Sequence, residues 1–334
     1  MTQSDKPISG EDSLIARYFK PLATDPGAFG LDDDAAALRA DGEDIVVTTD
    51  AIVEGVHFLP DDPPDTLARK ALRVNLSDIA AKGAVPAGFV LTLALRGAEE
   101  AWLKPFARAL GEDAADFGCP LLGGDTVSTP GPLMISITAF GRVPQGMMVH
   151  RAGAQAGDRV FVTGTIGDAA LGLDVLQGGP VAAALADDVV GRDFLAARYR
   201  VPQPRNALAK AVRTHASAAM DVSDGLAGDL TKLCAASGVA AVINVPSVPL
   251  SAAAAGLLAR KAIDIETLVA AGGDDYELLC AVPSDHVDAF LRDARQAKIA
   301  VTAIGGLIAG SSPPSFLDGQ GRELKLKRLS FSHF

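Results

Sequence analysis

The sequence predicts two domains, one of the α/β class and one of the α+β class. Runs of β-forming residues alternate with helical patterns in both halves of the chain, which is typical of sheets covered by helices. The 334 residues are enough for two hydrophobic cores. Turn residues at Pro144, Gly146, Gly153 and Gly157 lie between the halves. We therefore place the boundary there and expect domains at residues 1–148 and 149–334.

The first half contains six predicted elements. In chain order they are a helix over Ser13–Phe19, a strand over Asp44–Thr49, a helix over Thr66–Lys82, a strand over Gly88–Leu95, a helix over Glu99–Phe117 and a strand over Leu133–Arg142. The first strand is expected to end at Thr48-Thr49-Asp50. Thr66 is the expected N-cap of the second helix, and Pro105 is expected to kink or break the third.

The second half again begins with a strand. The predicted strands are Asp158–Val162, a strand from Ala218 that runs into Asp221, Val239–Val245 and Glu277–Val282. The turn Thr163–Asp168 comes before a helix, and its backbone N–H groups are candidates for binding a phosphate. The alternative is an ordinary strand-to-helix turn, which has the same sequence pattern.

Six short acidic segments carry the candidate chemistry. They are Asp32-Asp33-Asp34, Thr48-Thr49-Asp50, Asn75-Leu76-Ser77-Asp78, Gly123-Gly124-Asp125, Asp221-Val222-Ser223-Asp224 and Gly272-Gly273-Asp274-Asp275. Most of them follow an apolar run or adjoin glycines, so we expect turns that expose the side chains in a cleft. Carboxylates gathered in one cleft repel each other unless a cation neutralises them. Oxygen ligands of this kind suit Mg²⁺, which predicts a magnesium-dependent phosphate chemistry.

Asp78 interrupts an apolar helix face. Leu67, Ala71, Val74, Asp78 and Ala81 are spaced by four, three, four and three residues, so they share one side of the predicted helix. A carboxylate that faces the protein needs a partner. The partner is either a neighbouring Arg or Lys or a metal ion, and the spacing alone does not decide between them.

Composition excludes several classes of function. The net charge is −11 and there is no polybasic tract, so a nucleic-acid partner is not expected. No apolar run approaches the roughly 20 residues that a membrane helix needs, so no membrane role is expected. The three cysteines are widely spaced, which predicts buried, reduced thiols in a cytoplasmic protein.

The motifs, in their order along the chain, resemble the thiamine-monophosphate kinase family of the aminoimidazole-ribonucleotide-synthetase-like superfamily. The matching segments are Asp33–Ala36, Thr48–Phe58, Ala71–Ala84, Leu122–Thr126, Val162–Asp168, Met220–Leu226, Gly272–Leu278 and Phe331–Phe334. The resemblance implies an N-terminal α/β domain that binds ATP and Mg²⁺ and dimerises through its sheet. It also implies a C-terminal α+β domain that completes an interdomain cleft for ATP and substrate. The implied reaction is a direct in-line transfer of the γ-phosphoryl group from ATP to thiamine monophosphate, which forms thiamine diphosphate with the help of several Mg²⁺ ions.

The same resemblance implies a role for each site residue. The implied metal ligands are Asp34, Thr48, Thr49, Asp50, Asp78, Asp125, Asp221 and Asp224. The implied ATP contacts are Gly124, Asp125, Arg151 and Ser223, and the implied substrate contacts are His57, Asp274 and Phe331. Asp50, Asp78, Asp125 and Arg151 are the expected catalytic residues. Two positions depart from the family pattern, because Asp32 stands in place of Gly and Asp274 in place of Glu.

Three alternatives remain. The chain could be another ATP-dependent enzyme of the superfamily, although selenophosphate synthetase needs a reactive Cys near its N-terminus and the first Cys here is Cys119. It could be a non-catalytic protein that binds nucleotides or thiamine phosphates, although such a binder would not need so many metal ligands. It could also be a metal-dependent phosphatase, which would release inorganic phosphate without ATP.

Overall fold

The structure, a computed structural model, describes residues 15–26, 28, 40–269 and 273–326. It divides into two compact units: Met1–Asn75 with Pro86–Arg142, and Leu76–Val85 with Val143–Phe334. In the described ranges, no helix is long and apolar enough to cross a membrane. The boundary between residues 148 and 149 stays a prediction.

The first unit is built on a four-stranded sheet. Its main elements are β1 (Glu43–Val53), α1 (Pro64–Ala81), β2 (Val85–Leu95), α2 (Glu100–Asp116), β3 (Leu121–Ser128) and β4 (Met134–Pro144), after a turn of π-helix at Ile15–Phe19 and a 3₁₀ turn at Lys20–Leu22. The last part of α1, from Leu76, belongs to the second unit. The strand order is β1-β4-β2-β3, and β2 and β3 run parallel. Parallel neighbours need a long crossover, and α2 supplies it.

Helices α1 and α2 are joined by a buried ion pair. Arg73 donates from Nε and Nη2 to the two carboxylate oxygens of Asp113 at 2.6 and 2.9 Å, and Arg69 contacts the same carboxylate. Asp113 has no exposed surface. The carboxylate is stable in the core because two guanidinium groups neutralise it.

Three sequence predictions for this unit were wrong in detail. Strand β1 does not end at Thr48-Thr49-Asp50 but continues to Val53, since Ile52 and Val53 are β-formers. Helix α1 begins at Pro64, so Thr66 is not its N-cap, and the Thr66 hydroxyl donates to the Pro63 carbonyl at 2.7 Å. Pro105 lies inside the unbroken helix α2, in its second turn.

The second unit contains a six-stranded sheet. Its strands are β5 (Arg159–Thr163), β6 (Ala218–Val222), β7 (Val239–Asn244), β8 (Glu277–Val282), β9 (Val301–Ala309) and β10 (Ser315–Leu317), in the order β10-β7-β9-β5-β8-β6. The described helices are α3 (Asp168–Leu176), α4 (Pro180–Ala184), α5 (Val189–Arg200), α6 (Ala209–His215), α7 (Leu226–Ser237), α8 (Ala252–Ala259), α9 (Ile265–Val269) and α10 (Val287–Gln296). The paired strands are antiparallel apart from β10 and β7. The predicted two-domain class with mixed sheets and helices is confirmed.

Both faces of this sheet are buried. Met220 and Leu279 belong to a cluster that includes Leu230 of α7, whereas their neighbours Ala219 and Leu278 belong to a cluster that includes Phe290 of α10. Successive side chains of a strand point to opposite faces, so the two clusters lie on the two sides of the sheet. Asp221 has the parity of Ala219, and therefore it lies on the side of α10.

The three cysteines are buried free thiols, as the sequence predicted. Burial raises the pKa of Cys119 and Cys280 to about 12 and that of Cys234 to about 11. The thiolate is the reactive form, so we expect no cysteine of the native protein to react with Ellman's reagent at about pH 8. All three should react in guanidinium chloride. Rapid labelling of the native protein would contradict this expectation.

Candidate functional site

Strand β1 presents its candidate ligands on two different faces. Thr48 and Asp50 have the same parity as the buried Val46 and Ile52, so they share the inner face of the sheet. Thr49 lies on the outer face. Its hydroxyl accepts from Thr138 at 3.0 Å and donates to the Ile137 carbonyl at 3.2 Å, both on β4. The geometry therefore pairs Thr48 with Asp50 and gives the Thr49 hydroxyl a role in holding the sheet.

Asp50 and His57 are both tied to the elements around them. The Asp50 backbone N–H donates to the Asn75 amide oxygen of α1 at 3.1 Å. The His57 Nδ1 atom accepts from the Val53 backbone N–H at 3.1 Å, which places the proton of the neutral imidazole on Nε2. Lys70 donates to the His57 carbonyl at 2.8 Å. His57 is thus folded back onto the end of β1 with Nε2 as its donor.

Gly124 and Asp125 lie inside β3, not in a turn. A Cβ atom at Gly124 would overlap the Leu91 carbonyl oxygen of β2, so the close approach of the two strands requires glycine there. The strand order places β1 and β3 at opposite edges, about 14 Å apart across three strand spacings of a flat sheet. Asp50 and Asp125 therefore lie on the two edge strands of the sheet.

In the second unit, three predicted residues act electrostatically on Lys82. The Lys82 ammonium donates to the Ala219 carbonyl at 3.1 Å. Burial lowers the pKa of Lys82, the charges of Asp78 and Asp221 oppose that change, and Arg151 adds to it. Asp78, Asp221 and Arg151 therefore all lie within electrostatic range of the Lys82 ammonium. Asp78 is partly buried and Arg151 is exposed.

The Ser223-Asp224 turn is held by a buried carboxylate that the sequence analysis missed. One oxygen of Asp229, which has no exposed surface, accepts the backbone N–H groups of Ser223 and Asp224, both at 2.9 Å. Its other oxygen accepts from Lys232 at 2.8 Å, and Lys232 also contacts Asp224. Burial raises the pKa of Asp229, and the Lys232 hydrogen bond opposes that change. Asp229 thus orients a candidate ATP contact and a candidate metal ligand together.

Replacing Asp229 by alanine is expected to loosen this turn. It would leave two backbone N–H groups without their acceptor, which costs about 1–3 kcal/mol of stability. It should also raise the Mg²⁺ concentration that gives half-maximal activity. Asp229→Asn is the matched control, because its amide oxygen still accepts both N–H groups. An equal Mg²⁺ requirement in the Ala and Asn variants would contradict the expected orienting role.

The Asp274 segment is joined directly to that turn. The Asp274 backbone N–H donates to the Ser223 carbonyl at 2.8 Å, and the Tyr276 N–H donates to the Val222 carbonyl at 2.9 Å. A Cβ atom at Gly273 would lie 2.6 Å from the Ser223 carbonyl oxygen, so glycine permits this approach. The structure therefore brings Ser223, Asp224 and Asp274 together.

The Thr163–Asp168 turn does not offer its backbone to a phosphate in the way the sequence suggested. The N–H groups of Gly167 and Ala169, at the start of α3, donate to Asp275 at 2.6 and 3.2 Å. Burial raises the pKa of Asp275 to about 8, against the Gly167 hydrogen bond and the charge of Arg198. The Asp275 carboxylate therefore occupies the position at the start of α3 that a bound phosphate would need.

The donor chemistry suits Mg²⁺, although no complete ligand cage is present. In the described part of the chain, no three His, Cys, Asp or Glu side chains form a group that could hold a metal ion. Mg²⁺ usually takes one or two protein carboxylates and completes its shell with water and substrate phosphates. Asp78 and Asp221, which both act electrostatically on Lys82, are the candidates for such a pair. Asp34 and Phe331 lie outside the described residues.

Lys82, Asp229 and Asp275 are the residues of these sites that the sequence analysis did not select. Asp229 carries a signal, because it lies in the first turn of the helix that follows the Asp221–Asp224 segment. Asp275 is part of the Gly272–Leu278 motif, but nothing in its spacing distinguishes a carboxylate that supports the fold from one that binds a ligand. Lys82 follows the apolar face of α1 at the helix end, where a solvated lysine is equally common.

Two family models match the chain. The model of AIR synthase related protein, N-terminal domain, matches residues 32–143, and that of the C-terminal domain matches residues 155–315. A thiamine-monophosphate kinase of Caulobacter vibrioides is 44% identical over 324 residues, which cover 96% of this chain and 89% of the relative.

Solved structures share the fold. The crystal structure of thiamine-monophosphate kinase from Stenotrophomonas maltophilia K279a is 38% identical with a TM-score of 0.83, covering 94% of this chain and 98% of that one. A structure described as AaThiL complexed with AMPPCP and TMP is 28% identical with a TM-score of 0.75, covering 92% and 97%.

Proposed function

The chain belongs to the thiamine-monophosphate kinase family of the AIR synthase related proteins, and from that membership we propose that it phosphorylates thiamine monophosphate with ATP. The observation that carries the proposal is a relative whose structure contains AMPPCP, an ATP analogue, together with TMP. This chain shares the fold of that relative over 92% of its length. Thiamine diphosphate and ADP are the products of this reaction. ATP is therefore a co-substrate of the enzyme.

Transfer is proposed to be direct and in line. The nucleophile is a phosphate oxygen of thiamine monophosphate, which is already anionic near neutral pH, so no strong general base is required. The obstacle is the approach of two polyanions, and bound Mg²⁺ ions would screen that repulsion and align the γ-phosphoryl group. Arg151, exposed and positively charged, is proposed to stabilise charge on the transferring group.

Several Mg²⁺ ions, rather than one, are proposed. Asp50 and Asp125 lie on opposite edge strands, and Asp78 and Asp221 both act electrostatically on Lys82. This distribution of carboxylates supports more than one metal position. The proposed metal ligands are Asp34, Thr48, Asp50, Asp78, Asp125, Asp221 and Asp224. Thr49 is also proposed, and its outward side chain makes it the weakest member of the set.

The remaining roles follow the family assignment. Gly124, Asp125, Arg151 and Ser223 are proposed to contact ATP. His57, through the donor at Nε2, and Asp274 are proposed to contact thiamine monophosphate. Phe331 is proposed to place its ring against the thiazolium, which carries a positive charge and would gain a cation–π contact.

A homodimer is proposed through the sheet of the first unit. Val47 of β1 and Val127 of β3 are 58% and 43% exposed, so each edge strand carries an exposed valine that association could cover. Sedimentation equilibrium would test this directly, with a mass of one chain as the contradicting result. A reducing compartment, the cytoplasm, is proposed because all three thiols are free.

The decisive experiment is a product assay. The purified protein is incubated with ATP, Mg²⁺ and thiamine monophosphate, and thiamine diphosphate and ADP are quantified by chromatography. We expect equal amounts of the two products and none without Mg²⁺. Phosphate release from thiamine monophosphate without ATP would identify a phosphatase. Binding of both ligands without any product, over a range of metal ions, would identify a non-catalytic binder.

A further inference from the structure

Asp275, the neighbour of the proposed substrate contact Asp274, points into the protein and is 1% exposed. Its two carboxylate oxygens accept the backbone N–H groups of Gly167 and Ala169 at 2.6 and 3.2 Å. Its backbone carbonyl accepts from the Arg198 guanidinium at 3.1 Å. Three hydrogen bonds from two distant parts of the unit therefore fix this one residue.

The backbone on each side of Asp275 is left-handed. The φ angle is 66° at Asp274 and 50° at Tyr276, a region that a bulky residue such as tyrosine rarely adopts. Such a conformation persists only where the surroundings impose it, and it is most frequent at functional sites. Main-chain hydrogen bonds from Asp274 to Ser223 and from Tyr276 to Val222 hold the backbone of this segment. The buried Asp275 side chain holds the same segment from within the protein.

We propose that Asp275 is a positioning residue that aims the Asp274 carboxylate at the organic substrate. The inference rests on the proposed function, in which Asp274 contacts thiamine monophosphate. Asp275 itself does not touch the substrate. It acts by locking the direction of the neighbouring side chain through two left-handed residues, one of which is a tyrosine that rarely adopts this conformation.

The test is the variant Asp275→Asn. An amide nitrogen cannot accept from an N–H group, so one of the two helix-start bonds is lost whichever way the amide is placed. We expect the KM for thiamine monophosphate to rise about tenfold, because a small displacement of a positioning group has a large effect. The KM for ATP and kcat should stay within about twofold of the wild-type values.

Asp168→Asn is the matched control. Asp168 has no exposed surface, lies at the start of the same helix and accepts from Thr165 and Ser251 at 2.5 Å each. It shares the burial of Asp275, but these two partners are hydroxyls rather than the N–H groups of the helix start. Its substitution should lower thermal stability and leave the KM for thiamine monophosphate within about twofold of the wild-type value.

A double-mutant cycle separates positioning from packing. Asp274→Ala should raise the KM for thiamine monophosphate, and adding Asp275→Asn should then change it no further, because the group to be positioned is gone. If the two substitutions together raised the KM for thiamine monophosphate by the product of their separate effects, the inference would be overturned. An equal rise in the KM for ATP, or the same rise in Asp168→Asn, would also overturn it.

If Asp275→Asn does not fold, Arg198→Lys serves instead. Arg198 donates from Nη2 to both Glu277 and the Asp275 carbonyl, and the shorter side chain of lysine does not bring its ammonium to the Nη2 position, so the same selective rise in KM is expected, and its absence would refute the inference. Wild-type protein that forms no thiamine diphosphate would refute the proposed reaction. The Kd for thiamine monophosphate, measured by calorimetry without ATP, then decides the positioning inference by the same comparisons.

Discussion

Replacing Asp50 by asparagine is expected to lower kcat/KM at least about a hundredfold, since groups that merely support a metal ligand already contribute 10- to 100-fold. Asparagine keeps the shape of the side chain but loses the charge that would attract Mg²⁺. The hydrogen bond from the Asp50 backbone to Asn75 does not involve the side chain. The fold should therefore survive, as circular dichroism would show.

Asp78→Asn, in the second unit, should lower kcat/KM to a similar extent and leave the fold intact. Asp78 acts on Lys82 together with Asp221, so its loss removes one of two neighbouring carboxylates from the proposed cation position. Direct binding of Mn²⁺, followed by electron paramagnetic resonance, supplies a measurement that is independent of turnover. Each variant should bind fewer or weaker Mn²⁺ ions than the wild type.

Asp44→Asn is the control for both, because Asp44 lies on β1 with the parity of Asp50 but has no proposed ligand role. Its kinetics should match those of the wild type. Unchanged kinetics at limiting Mg²⁺ in Asp50→Asn or Asp78→Asn would remove that residue from the proposed metal ligands. A loss of secondary structure in either variant would instead show that the side chain supports the fold.

Replacing Glu277 by alanine is expected to destabilise the second unit by about 3–5 kcal/mol, the cost of breaking a buried ion pair by removing one partner. Glu277 has no exposed surface. It accepts from Arg198 at 2.9 Å, from the Arg205 Nε at 2.6 Å and from the Thr163 hydroxyl at 2.6 Å. Without it, two guanidinium groups are left without their shared anion.

Urea denaturation followed by circular dichroism measures this effect. Asp318→Asn is the control, because its partner Arg322 is largely exposed, and its denaturation midpoint should be close to that of the wild type. A midpoint for Glu277→Ala equal to that of the control would show that Arg198 and Arg205 find other partners or water. Because Arg198 also holds the Asp275 carbonyl, the substitution should affect the substrate side of this unit as well.

Local patterns predicted most of the elements, and they failed where a choice depended on distant residues. The strand Glu277–Val282 was predicted with the correct bounds because its run of apolar residues is buried on both faces. The end of β1 was misplaced because carboxylates suggested a turn, whereas pairing with β4 keeps Thr49 extended. The phosphate-binding interpretation of Thr163–Asp168 failed because the anion that meets those N–H groups lies 108 residues further along the chain.

The sequence by itself determined the family, the order of the acidic segments and the helix face that carries Asp78, because motifs and residue spacings can be identified along the chain without knowing which distant residues meet. Only the tertiary structure decided which carboxylates serve the fold and which stay available for chemistry. Asp224 and Asp229 are five residues apart, yet one is partly exposed and the other holds two backbone N–H groups in the core. Asp274 and Asp275 are adjacent, yet Asp274 is partly exposed whereas Asp275 is buried and accepts a backbone N–H group. The physical reason is that a carboxylate is buried only where the rest of the fold supplies its donors, and those donors come from distant parts of the chain.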